Sequence, residues 1–203
     1  MTPVEDVLVF PEWVLCTLPD VAGYRPLDDR SERTEFLDAI LDEKLLSFMP
    51  RAQAEEDESY KQLIPYVIFT HKTKILCYTR TKKSGEGRLR SKNSIGFGGH
   101  INDLDGASVR DAYRAGIRRE MEEELVFDGN LDYLNFVGCI YDDSNDVGRV
   151  HFGMVYVLEL DSPEVDTSDP SITDLRWLST ADLIDVRDRL ENWSQMIVDS
   201  LGK

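Results

Sequence analysis

The sequence predicts an α/β fold built on a mixed sheet, and three observations predict it. Two β-rich runs, LIPYVIFT (63–70) and KILCYTRT (74–81), precede one mid-chain amphipathic helix. More β-rich runs follow at 133–141, 149–160 and 172–179. The chain then closes on ADLIDVRDRLENWSQMIVDSL, which reads as helix. Strands first, one helix in the middle and helices last fit a mixed α/β sandwich better than regular βαβ alternation.

Each element has its own reason. DVLVFPEWVLC (6–16) reads as one or two short strands broken by Pro11. Residues 31–48 read as a helix capped by Asp29 or Ser31, with Phe36, Ile40, Leu41, Leu45 and Phe48 at helical spacing and Pro50 as its stop. AEEDES (54–59) is a charge run expected to be an exposed connector. It marks a boundary between an N-terminal α/β extension, residues 1–60, and a main domain, residues 61–203. The runs at 63–70 and 74–81 form a hairpin across the polar HKTK stretch. A basic loop follows (82–93), then a short glycine-dense strand, SIGFGGHI (94–101), a loop, and a helix from about Ser108 to Leu125.

Composition narrows the function. The 203 residues are 41% hydrophobic and suffice for one domain plus an extension. A net charge of −16 argues against a nucleic acid polymer as partner, because the phosphate backbone would be repelled. A small phosphorylated ligand is still compatible if a metal and a local basic patch offset the charge. Cys16, Cys77 and Cys139 are scattered and odd in number, which points to neither a disulfide framework nor a CxxC zinc site and fits a reducing compartment. No apolar run approaches the roughly 20 residues that span a bilayer, so the expectation is a cytoplasmic protein with no membrane partner.

The seven residues REMEEEL (119–125) raise the functional question. On a helix, Tyr113, Ile117, Met121 and Leu125 form one apolar stripe, while Glu120, Glu123 and Glu124 crowd a neighbouring strip. Like charges at that spacing cost about 0.2–0.5 kcal/mol per pair. A solvated face would mix Lys with Glu; a hard divalent cation with oxygen ligands would offset the crowding instead. Gly116 inside the same helix costs about 1 kcal/mol against Ala, which close approach to a strand would explain.

Gly98-Gly99-His100 at a strand end, then a loop, then Arg119-Glu120-Met121-Glu122-Glu123-Glu124 on a helix resembles the Nudix box, G-x5-E-x7-R-E-U-x-E-E-x-G-U with U aliphatic. The R-E-U-x-E-E core is matched in full. Counted back eight positions from Arg119, the remaining acidic position falls on Asp111, with eleven residues between it and Gly99, so INDLDGASVR reads as a loop lengthened by six. Val126 replaces the family glycine, and Phe127 matches the last apolar position.

The resemblance implies an α/β/α sandwich and a metal-dependent pyrophosphohydrolase acting on a nucleoside diphosphate derivative or similar small-molecule diphosphate. It implies Mg²⁺ or Mn²⁺ held by Glu120, Glu123 and Glu124 with the Gly99 carbonyl. Glu120 or Glu123 would serve as base, and Arg119 would hold a carboxylate in position. YDDSNDVG (141–148) offers a later-loop base in Asp142 or Asp143, or is simply a polar turn. Arg88, Arg90 and Lys92 of the basic loop, together with His100, are the expected substrate contacts. His151 reads as a sheet residue. Residues 1–60 offer material for a homodimer interface. The alternative is a non-catalytic ligand-sensing or interaction module on the same fold. A diphosphate isomerase is disfavoured, because Cys77 lacks the short cysteine motif of that chemistry.

Overall fold

The computed structural model describes residues 5–18, 20–81, 92–103, 105, 106 and 108–202. In chain order the elements are β1 (Asp6–Pro11), β2 (Gly23–Pro26), α1 (Arg30–Ile40), β3 (Ser47–Pro50), α2 (Arg51–Ala54), β4 (Tyr60–His71), β5 (Lys74–Arg80), β6 (Asn93–Ser94) and α3 (Val109–Glu124). Then come β7 (Val126–Phe127), β8 (Asn135–Tyr141), α4 (Asp146–Val150), β9 (His151–Glu159), β10 (Val165–Asp166), β11 (Ile172–Ser179), α5 (Thr180–Asp185) and α6 (Asn192–Leu201). The fold is α/β, a mixed β-sheet flanked by helices with further strands and helices added. Two compact units divide the chain, and β4, β8, β9 and α3 contribute residues to both.

The first unit comprises Met1–Pro65, Gly99–Arg119 and Phe136–Val155. β1 pairs antiparallel with β3, Asp6 opposite Pro50 and Val9 opposite Ser47, and with β4, Val9 opposite Gln62. Residues on both sides of position 60 therefore share one sheet region. β2 pairs antiparallel with β8. Val7, Val9, Met49 and Ala54 form a buried cluster. Phe10 meets Phe152 edge-on at 5.4 Å, and Phe36 stacks on Phe136 at 5.8 Å. Each such ring, once buried, contributes about 1.5–3 kcal/mol.

Here the expected helix over 31–48 is corrected. Asp29 caps α1, accepting from the Ser31 and Glu32 amides, but the helix ends at Ile40. The amides of Leu45 and Leu46 turn back to the Asp42 carbonyl. Phe48 is then drawn into β3 opposite Leu8. Its apolar side chain answers a strand partner rather than a helix period. Pro11 ends β1, and residues Glu12–Thr17 coil as a 3₁₀ turn rather than a second strand.

The second unit comprises Tyr66–Gly98, Glu120–Asn135 and Tyr156–Lys203. The hairpin stands as expected, with Thr70 opposite Ile75 and Lys72 in the turn at φ 55°. β11 pairs antiparallel with β5, Trp177 opposite Leu76, with an irregularity between Thr173 and Arg176 where Asp174 takes φ 57°. Phe69 packs edge-on against Phe97 at 5.4 Å and Phe127 at 5.0 Å.

The glycine-dense strand at 94–101 is also corrected. Regular pairing stops at Ser94, and Phe97 adds an isolated bridge to Val67. The Ile95 amide bonds to the Ser194 hydroxyl instead of a strand. A Cβ on Gly96 would lie 2.0 Å from the Tyr66 ring, so only glycine lets the ring in. The closing helix is two helices: a Ser179–Asp182 capping box starts α5, and Glu191 caps α6.

Candidate functional site

The apolar stripe of α3 is buried as its spacing requires: Tyr113, Ile117, Met121 and Leu125 are all core residues. The acidic strip differs along its length. In the second unit Glu123 is exposed, Glu120 is half-buried, and Glu124 is drawn inward. Gly98, at φ 138°, points its amide at Glu124 Oε2, 3.0 Å away. That conformation is open to glycine and strained for other residues. Burial pushes the Glu124 carboxyl up to about 8; the charge of Arg80 and the Gly98 hydrogen bond pull it down, while Glu120 and Asp169 push it further up.

Among the described residues Arg80 brings positive charge to Glu124. Its guanidinium lies over the Tyr78 ring, 5.4 Å from the centroid, and its Nε is buried with no hydrogen-bond partner among the described residues. Lys92 donates to the Asp188 carbonyl at 3.2 Å. Arg88 and Arg90 lie outside the described residues.

The exit from α3 shows how the chain does without the expected glycine. Thr167 donates to the Glu124 carbonyl at 2.6 Å, and Ser168 to the Glu123 carbonyl at 3.0 Å. These hydroxyls satisfy carbonyls that the helix leaves open at its end. The chain then leaves as β7, with Val126 paired to Asp166 of β10.

The first unit holds the start of the box. Arg119 donates from Nε to Asp105 Oδ1 at 2.7 Å, and from Nη2 to Asp105 Oδ2 at 3.1 Å and to the His100 carbonyl at 2.9 Å. Asp105 is buried to 4% of its side-chain surface and also accepts the Asn102 amide. Asp111 instead shares a cap with Ser108 at the start of α3. The residue that answers Arg119 is thus Asp105, which follows Gly99 after five intervening residues. The six added residues fall after the acidic position rather than before it. Gly116 also has its reason: a Cβ there would lie 2.6 Å from Ile101 Cδ1 and 2.7 Å from Asp105 Oδ2. The close approach is to the loop that carries Asp105, not to a strand.

Gly99 and His100 belong to this unit and are half-buried. Desolvation, with the charges of Arg51, His151 and Arg119, holds the His100 imidazole well below its usual range. His100 Nε2 lies 3.3 Å from His151 Nε2, and His151 Nδ1 lies 2.7 Å from the Val147 carbonyl. Glu55, His100 and His151 each bring a ligand atom within 4.8 Å of the other two, a group able to hold a metal ion. Among the described residues this is the group of three so gathered; the three glutamates of α3 are not brought that close. Sequence reasoning missed Glu55 in a charge run and left His151 as a sheet residue. No local signal joins positions so far apart.

The 141–148 loop reads as a turn that opens α4. Asp142 is buried, accepting the Ser144 amide at 3.1 Å and Asn145 Nδ2 at 2.9 Å. Asp143 is exposed, and Asp146 pairs with Arg149. All three cysteines are free thiols, Cys16 exposed and the others buried. Among the described residues no helix is long and apolar enough to cross a membrane.

No family model matches the chain. It is 38% identical over 158 residues to Protein YmaB of Bacillus subtilis (strain 168), covering 75% of this chain and 77% of that protein. The crystal structure of Tm1382, a candidate Nudix hydrolase, is similar at TM-score 0.77 and 26% identity, over 97% of this chain and 98% of that one. The NUDIX domain of Shewanella oneidensis NrtR complexed with ADP ribose matches at TM-score 0.53 and 14% identity, over 70% and 86%. A bifunctional NMN adenylyltransferase/ADP ribose pyrophosphatase from Francisella tularensis, complexed with AMP and a manganese ion, matches at TM-score 0.50 and 18% identity, over 70% and 41%. The last two share the fold.

Proposed function

The chain belongs to the Nudix hydrolase superfamily, and from that premise we propose that it hydrolyses a diphosphate linkage in a nucleoside diphosphate derivative or a similar small metabolite, with Mg²⁺ or Mn²⁺. The observation that carries this reading is the end of α3, where Glu120, Glu123 and Glu124 share one strip and the Gly98 amide holds Glu124 Oε2 at 3.0 Å. Oxygen donors of this kind suit a hard divalent cation, and Mg²⁺ characteristically adds substrate phosphates to a few carboxylates. Glu120, Glu123 and Glu124 would hold it. Such a cation supplies charge neutralisation at the phosphates and activation of water.

The chain's own residues do the rest. Exposed Glu123, or Glu120 beside it, accepts the proton of the attacking water. Gly98 fixes the Glu124 carboxylate from the backbone. Lys92, with Arg88 and Arg90, would meet the substrate phosphates. The compartment is the cytoplasm, and the substrate is a small molecule.

The test is phosphate release from a panel of ADP-ribose, NADH, dinucleoside polyphosphates, nucleoside triphosphates and sugar nucleotides, with and without Mg²⁺ or Mn²⁺. ADP-ribose leads the panel because two fold relatives bind or cleave it. Expected is metal-dependent turnover that falls at least about a hundredfold in Glu123→Gln or Glu120→Gln. Turnover that ignores metal, or survives both substitutions, overturns the reading. Ligand binding without turnover would favour the sensing module.

A further inference from the structure

We propose that Glu55, His100 and His151 form a second metal site, one for a borderline first-row cation such as Zn²⁺, taken by two imidazole nitrogens and one carboxylate oxygen. The site stands on the first unit's own residues and does not depend on the hydrolase reading.

The donor set is the first argument. Two imidazoles and a carboxylate suit zinc and its first-row neighbours, whereas the all-oxygen cluster on α3 suits Mg²⁺. Three protein ligands also leave a fourth tetrahedral position for water.

Geometry is the second argument. The two Nε2 atoms face each other 3.3 Å apart. Two nitrogens at roughly 2.0–2.1 Å from one tetrahedral ion are separated by about 3.3–3.4 Å. At an octahedral right angle they would be about 2.9 Å apart. The spacing is that of two ligands on tetrahedral zinc, and in the metal-free chain the same two atoms share a hydrogen bond that the ion would replace. Glu55 already has a ligand oxygen within 4.8 Å of both rings.

The third argument is tautomer control. A carbonyl only accepts, so His151 Nδ1 must donate to Val147 O across the 2.7 Å contact. The neutral ring then carries its lone pair on Nε2, facing His100. This is the outer hydrogen bond that fixes a ligand imidazole in metal sites. The backbone of His100 is fixed too, by Arg119 Nη2 on its carbonyl.

Nearby charges set the cost. Arg51 donates weakly to Glu55 at 3.5 Å and more closely to Glu5 at 3.0 Å, so Glu55 can turn to a cation while Arg51 keeps a partner. Arg119 is neutralised by Asp105. The ion would tie the end of α2, the segment after Gly99 and the first residue of β9 together within the unit.

The probe is Co²⁺, whose visible absorption is strong in a four-coordinate nitrogen-containing site and weak in a six-coordinate oxygen site. The full chain carries Cys16→Ser, to remove the exposed thiol, and Glu120→Gln with Glu123→Gln, to suppress the carboxylate cluster. Expected is one equivalent of Co²⁺ giving the four-coordinate spectrum, displaced by Zn²⁺. In the same background Glu55→Gln weakens binding at least about tenfold, and His151→Gln abolishes the spectrum. Glu55 is exposed, so its substitution keeps the test decisive should His151→Gln fail to fold. No binding, or a weak six-coordinate band unchanged by either substitution, overturns the proposal.

Discussion

Two carboxylates turned inward in the second unit, buried Glu191 and half-buried Glu124, solve the same problem in opposite ways. Glu191 caps α6 and accepts from the Trp193 amide at 2.9 Å, the Ser194 amide at 2.8 Å, Tyr66 OH at 2.7 Å and the Ser194 hydroxyl. Glu124 accepts the Gly98 amide, and the Arg80 charge does not offset its burial, so its carboxyl rises to about 8. A carboxylate saturated with donors is a structural joint. One that accepts only a backbone amide among the described residues is where a cation has something to gain.

The sharpest way to break this comparison is Glu191→Ala. It strips an acceptor from several buried donors and removes a helix cap at once. The expected loss is about 3 kcal/mol, seen as a Tm drop of about 6–12 °C. A drop of a degree or two would mean the network is not what holds α6.

Asp105 extends the contrast to the first unit, since it too is enclosed and bonded. Asp105→Asn should lower Tm by about 4–8 °C, because it disrupts a two-point pair with Arg119 that is itself partly exposed. Asp111→Asn, at an exposed cap, should change Tm by about 2 °C or less. Equal effects would undo the assignment of Asp105 as the partner of Arg119.

Glu124→Gln should behave in the other direction. Between about 4.5 and 8 the folded chain keeps the Glu124 proton that the unfolded chain releases, so stability falls as pH rises through that window. The neutral amide removes this loss. Metal-free Glu124→Gln is therefore expected to melt a few degrees above the parent at pH 8 and near it at pH 5. A lower Tm at pH 8 would show that Glu124 is as structural as Glu191.

A comparably small effect is expected of Thr167→Val, which removes the hydroxyl from the last carbonyl of α3 at nearly constant shape. The expected cost is about 1 kcal/mol, or 2–4 °C.

Much of the frame was legible. The hairpin of β4 and β5, the buried stripe of α3 and the strand over 172–179 follow from periodicity and turn residues, which are local signals. The R-E-U-x-E-E core was legible for the same reason, since one helix displays it. Phe48 was misread because an apolar residue at helical spacing also suits a strand, and only pairing with Leu8 decides between them. β2 was missed, and so were β7 and β10, two residues each, because they exist only through their partners.

By itself, then, the sequence determined which side chains lie on one face of α3, because neighbours on a helix are set by covalent spacing. Tertiary structure alone decided which of those glutamates is buried, that Asp105 answers Arg119, and that His151 meets His100 from 51 residues away. Burial and long-range contact come from packing, and no local pattern carries them.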